Sequence, residues 1–152
     1  MKKLQNFKLF ESETEKLPIY DVEDYIVEVL DKYKDRILRW AIGEYLADPT
    51  HGDLYDTEHY IDNGQYRKRK VSESAPEGSL IAYDILIEIK NDTEDTPFGW
   101  EGFCDFDTFN SLINDLKKSL HRLNAKHFYL QVGHGFDKHT ITLSLVTNEV
   151  KK

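Results

Sequence analysis

Leu80-Ile81-Ala82-Tyr83-Asp84-Ile85-Leu86-Ile87-Glu88-Ile89-Lys90 is the stretch whose pattern decides the fold. Ile81, Tyr83, Ile85, Ile87 and Ile89 recur at every second position, with Asp84, Glu88 and Lys90 between or after them. A period of two puts the apolar set on one face of a strand and the charged set on the wetter face. One buried sheet face requires another layer to cover it.

Working toward the C-terminus, residues 91–105 read as a long loop. A helix is predicted over residues 105–123, capped by Asp105 or Asp107, with Phe106, Phe109, Leu112, Ile113, Leu116, Leu120 and Leu123 as its apolar stripe. Residues 125–132 read as a strand and 133–138 as a turn. Residues 139–146 form the closing strand, with Ile141, Leu143 and Leu145 inward.

Working toward the N-terminus, residues 72–79 read as a loop, with Pro76 and Gly78, inside a polar stretch over 47–78. Within that stretch, Tyr60-Ile61-Asp62-Asn63-Gly64-Gln65-Tyr66 sets Asn-Gly between two short strand-forming pieces. Asn-Gly accepts the positive φ angles of a type I′ turn, so a hairpin is predicted. A longer helix is predicted before it. Asp21 is its N-cap, and Val22, Tyr25, Ile26, Val29, Leu30, Tyr33, Ile37, Trp40 and Ala41 are spaced by three and four over roughly five turns, bounded by Gly43 and Pro49. Residues 1–20 form a leader, with Leu4, Phe7, Leu9 and Phe10 as a small amphipathic patch closed by Pro18. The expected architecture is a single α+β domain over residues 21–152. Its sheet is antiparallel or mixed, with three to five strands and two long helices packed on one face.

Composition excludes several classes. The chain has 152 residues and 17.9 kDa, enough for one domain. No apolar run approaches the roughly 18 residues of a membrane span. No apolar stretch follows the basic start as in a secretory signal, so the expected location is a cytoplasm, not the exterior. Cys104 is the single cysteine; it fits a reducing compartment and reads as a small core residue rather than a nucleophile. A net charge of −8 stands against general nucleic-acid binding.

Chemistry-bearing residues cluster in four places. His51, Asp53, Asp56 and His59 form one His/Asp set, and His134, Asp137 and His139 a second. Imidazole with carboxylate can hold a divalent ion, but neither set has a known ligand spacing, and turns recruit the same residues. No cofactor is therefore expected. Arg67-Lys68-Arg69-Lys70 is a basic run that reads first as a solvated edge strand and only second as a phosphate contact. Asp92, Glu94, Asp95, Glu101, Asp105 and Asp107 surround Phe98, Trp100, Phe103 and Phe106 with no intervening base. Aromatic anchors among steering carboxylates suit a basic protein surface, and Asp95, Phe98, Trp100, Glu101 and Asp105 are the expected contacts. The alternative is that those aromatics fold inward as core. From residue 115 onward bases outnumber acids, so the molecule is expected to be polarised.

The opening Met1-Lys2-Lys3-Leu4-Gln5-Asn6-Phe7-Lys8-Leu9-Phe10-Glu11-Ser12 resembles the capsid-targeting leaders of internal head proteins in T-even-like tailed phages. Those leaders are basic, carry a small amphipathic patch, and end in Leu or Ile, any residue, then Glu before a small residue. Leu9-Phe10-Glu11-Ser12 has that form. The resemblance implies cleavage after Glu11, a mature chain beginning at Ser12, packaging in the virion head, and injection into a host.

The expected function is non-catalytic protein binding, by a phage accessory protein that inhibits a host defence enzyme. Two alternatives stand beside it: a bacterial immunity protein that neutralises a toxin, and a small metal- or nucleotide-binding enzyme using a His/Asp loop.

Overall fold

The computed structural model describes residues 17–71, 73–90, 106–134 and 138–150. Its elements, in chain order, are α1 (Pro18–Leu30), β1 (Ile37–Ala47), β2 (Leu54–Asp62), β3 (Gln65–Lys68), β4 (Leu80–Lys90), α2 (Phe106–Leu120), β5 (Ala125–His134) and β6 (Lys138–Val150). A single 3-10 turn, Asp31–Tyr33, follows α1. All six strands join one antiparallel sheet in the order β3-β2-β1-β4-β6-β5. The expectation of three to five strands is therefore corrected to six, and the domain is mostly sheet.

The missing strand lies inside the long helix expected from Asp21 to Ala41. Helix α1 stops at Leu30, and residues 37–47 are β1. Spacing misled here because Ile37 and Trp40 are three apart, as on a helical stripe, and they share a strand face only through a register slip between Ile37 and Arg39. Ile42 decides between the two: it falls off the helical stripe, yet it is fully buried opposite Ile61 and Ile85. Between the two elements, Asp31-Lys32-Tyr33-Lys34-Asp35-Arg36 supplies only Tyr33 to a core, so continuing the helix would bury little. Pairing with β4 instead gives β1 a ladder from Ile37↔Ile89 to Ala47↔Leu80. The start of α1 also differs from expectation. Pro18 takes the first helical position, where its missing N–H costs nothing, and Asp21 sits in the first turn rather than at the cap.

The Asn-Gly hairpin forms between β2 and β3, with Asn63 at φ 49° and Gly64 at φ 92°. The β4 alternation holds as well: Tyr83, Ile85, Ile87 and Ile89 are buried while Asp84 and Lys90 are exposed. Register carries the same face across the sheet through Ile85↔Leu143 and Ile87↔Ile141. Over it lie Ile19, Val22, Ile26 and Val29 of α1 and Leu112, Leu116 and Leu120 of α2, in one continuous core. Each such side chain contributes roughly 2 kcal/mol of apolar burial. Phe106, expected in the α2 stripe, is 74% exposed instead. The helices are tied together by Ser119 Oγ donating to Tyr25 O at 2.7 Å and Tyr33 OH donating to Asp115 at 2.8 Å. The Arg122 guanidinium lies 4.2 Å from the Tyr25 ring centre and also bonds Glu28. No described helix is long and apolar enough to cross a membrane.

Candidate functional site

Among the described residues, those singled out from sequence are not assembled into one centre. Asp95, Phe98, Trp100, Glu101 and Asp105 lie outside the described residues, as do Glu11, Ser12, Cys104 and Asp137. His134 and His139 are cross-strand partners at the end of the β5–β6 hairpin. His139 is buried there, and its Nε2 has no hydrogen-bond partner among the described residues. His51 Nδ1 pairs with Asp48 at 2.9 Å inside a tight turn, where Asp48 also accepts the Thr50 N–H. That carboxylate is held below its ordinary range by those two hydrogen bonds. His59 turns the other way, its Nδ1 2.7 Å from Tyr66 OH. Among the described residues, no group of three or more His, Cys, Asp or Glu could hold a metal ion.

The basic run is largely neutralised by the chain's own acids and carbonyls. Arg67 pairs with Asp62 at 3.7 Å and Lys68 with Glu58 at 3.4 Å. Arg69 folds across Gly43, lies 5.2 Å from the Tyr60 ring centre, and donates to Glu44 O and Thr57 O.

A buried polar cluster lies below that run, where sequence reading had marked only His59. Between Gly43↔Tyr60 and Tyr45↔Asp56 the register slips, so β2 bulges around Glu44. Such bulges re-aim side chains. Here Thr57 Oγ1 donates to Glu44 Oε1 at 3.1 Å, while Glu44 Oε2 has no hydrogen-bond partner among the described residues. Burial pushes the Glu44 carboxyl above its ordinary value, against the pull of His59, Thr57, Tyr83 and Arg69. This is a carboxyl kept toward its neutral form in a core, where an ion would be costly.

Opposite the helices, the sheet presents a polar face. Register places Arg39, Tyr45, Asp84 and Ser144 there, with Tyr60 and Tyr129 toward its two sides. Tyr45 OH and Ser144 Oγ both donate to Asp84 Oδ1. Burial, then the Asp84 charge, pushes the Tyr45 phenol up to about 12. Arg39 bonds Asp62 at 2.8 Å.

β5 forms one margin of the described sheet. Among the described residues, β5 pairs only with β6 along its ten residues. Register with Ile141, Leu143 and Leu145 places Phe128, Leu130 and Val132 on the helix side. Phe128 packs on the core, its ring 5.8 Å from that of His121, whereas Leu130 and Val132 are about half exposed. Tyr129, on the other face, is 61% exposed. Alternation alone places Leu130 and Val132 inside, and no sequence signal shows that they sit at the sheet's margin.

Comparison with protein-family models, with curated proteins and with solved structures finds no match.

Proposed function

We propose that the protein is a non-catalytic binding protein that docks a partner protein along β5. One observation carries this reading: a ten-residue strand at the margin of the described sheet, with Tyr129, Leu130 and Val132 exposed. Natural sheets blunt such edges with charge, proline, bulges or covering segments, because an open edge recruits other chains. Apolar residues left on an edge mark a surface that a partner covers.

The narrower reading is an injected phage protein that inhibits a host defence enzyme. The leader-like Met1–Ser12 segment supports it, and cleavage after Glu11 inside assembling phage heads would check it. The docking reading is tested with the full chain as bait in nuclease-treated bacterial lysate, beside the Leu130→Lys/Val132→Lys variant. The expected result is one stoichiometric protein partner that the folded variant no longer retains. Equal capture by both forms, or capture by neither, would remove β5 docking.

A further inference from the structure

We infer that Glu44 works as a proton-operated latch: protonated, it lets β3 close over its cluster, and on losing its proton it releases β3 from the sheet. The latch sits at the margin opposite β5 and does not depend on docking there. Its geometry follows from the slip in register. Gly43 pairs with Tyr60 and Tyr45 with Asp56, so Glu44 alone stands opposite Thr57, Glu58 and His59. On its other side it pairs with the buried Tyr83 of β4. Glu44 itself is 6% exposed. β3 closes the cluster with one side chain. The Tyr66 hydroxyl lies 2.7 Å from His59 Nδ1, and the Tyr66 ring centre lies 5.9 Å from that of Tyr20 in α1.

The surroundings suit a neutral Glu44 and not an anion. His59 and Arg69 both draw toward the charged form, but each is committed elsewhere. His59 Nδ1 meets Tyr66, and Arg69 donates to the Glu44 and Thr57 carbonyls while lying over the Tyr60 ring. Asp21 of α1 and Glu149 of β6 add negative charge around Tyr83, and Glu58 adds it around Tyr66. An ionised Glu44 keeps the hydrogen bond from Thr57 and leaves Oε2 without a donor among the described residues. A buried carboxylate oxygen in that position is costly, and admitting water relieves it. Of the walls around Glu44, β3 gives way first. It is four residues long and pairs only with β2 among the described residues, whereas β4 is paired on both sides. Its ion pairs to Asp62 and Glu58 are surface pairs, which hold weakly. Parting it turns the nine-residue β2 into an open margin.

The dependence on pH has a defined form. Burial holds the closed-state carboxyl above its ordinary value, and opening returns it to that value. Below the ordinary value the latch is fully closed. Above it, the open fraction rises about tenfold per pH unit until the closed-state value is reached, and then levels off.

The test is amide hydrogen exchange on the full chain from about pH 4 to pH 9, corrected for the intrinsic rate at each pH. The amides to follow are those of the β2–β3 ladder and the Arg69 N–H, which donates to Glu58 O. Their opening is expected to rise at least about tenfold and then level off, while amides between β4 and β6 keep their protection. Glu44→Gln, which cannot ionise, should hold those amides at the parent's low-pH level throughout. In the parent, the Glu44 carboxyl carbon followed by NMR should titrate above the ordinary carboxyl range, with its midpoint where the exchange levels off. That titration decides the matter even if Glu44→Gln does not fold. The inference is overturned by a flat profile in the parent, or by a rise that persists in Glu44→Gln. A rise shared by β4 and β6, or a Glu44 midpoint within or below the ordinary range, overturns it equally.

Discussion

The two edges of the sheet solve the same physical problem in opposite ways. β3 is four residues long and carries Arg67 and Lys68, each paired with an acid of β2. It continues into Arg69, which folds back across Gly43 and Tyr60. β5 is ten residues long, and Tyr129, Leu130 and Val132 are exposed along it. A short, charged edge offers another chain few backbone partners and costs it desolvation. A long edge with apolar side chains offers both a ladder and area to bury. Protection at one margin and exposure at the other, within one described sheet, is the contrast on which the proposed docking at β5 rests.

Breaking the exposed edge should give the largest effect. Leu130→Lys with Val132→Lys should weaken partner binding by about 100-fold, as loss of a central apolar anchor does. Titration calorimetry against the captured partner measures it, and a change below about threefold would break the comparison. Next comes the turn that holds the guarded edge in place. Gly64→Ala puts a Cβ at φ 92°, with Trp40 3.9 Å away, so the cost is backbone strain and not a clash. It should destabilise the domain by roughly 1 kcal/mol in denaturant unfolding and leave β5 binding intact.

Glu44, in the bulge beside the guarded edge, gives a smaller effect with a defined sign. Its folded pKa is raised above the ordinary carboxyl value by burial. The stability tied to its protonated form is complete below that ordinary value and is lost as pH rises through the folded one. Glu44→Gln keeps the shape without the charge. It should match the parent near pH 4 and unfold about 3 °C higher near pH 8. An equal or lower midpoint at the higher pH would show that the carboxylate is needed there. The smallest effect belongs to Lys68→Ala. The Lys68–Glu58 pair is mostly exposed, so its loss should change stability by less than about 0.5 kcal/mol and leave binding unchanged.

Local patterns in the chain were enough for β4, the Asn63-Gly64 turn, α2 and the closing strand. In each, neighbouring residues carry the decisive signal: alternation, positive φ, or a stripe at helical spacing. The reading of Arg67–Lys70 as a solvated edge belongs with these, since β3 is an edge strand whose charges are largely met by the chain itself. The span 31–47 was not readable in the same way. Ile37 and Trp40 keep a helical spacing that an irregularity after Ile37 absorbs into the strand, and only the partners Ile61 and Ile85, distant in sequence, make Ile42 a core residue of a strand. The aromatic-acidic contacts expected at Asp95, Phe98, Trp100, Glu101 and Asp105 fall outside the described residues, so the candidate site moves to a strand that sequence had marked only as a strand.

By itself, the sequence determined the kind of most elements, the turn that joins β2 to β3, the acidic balance of the whole and the basic, acid-free stretch 116–134. Short-range backbone preferences and composition are properties of neighbours along the chain, so they can be read there. Only the tertiary structure decided that residues 37–47 are a strand, that Glu44 is buried in a bulge, and that β5 lies at the margin. Those facts depend on which strand pairs with which, and strand order follows from long-range packing of one apolar face under two helices. Leu130 and Leu143 alternate alike along their strands. Strand order alone buries Leu143 in the sheet's interior and leaves Leu130 half exposed at its edge.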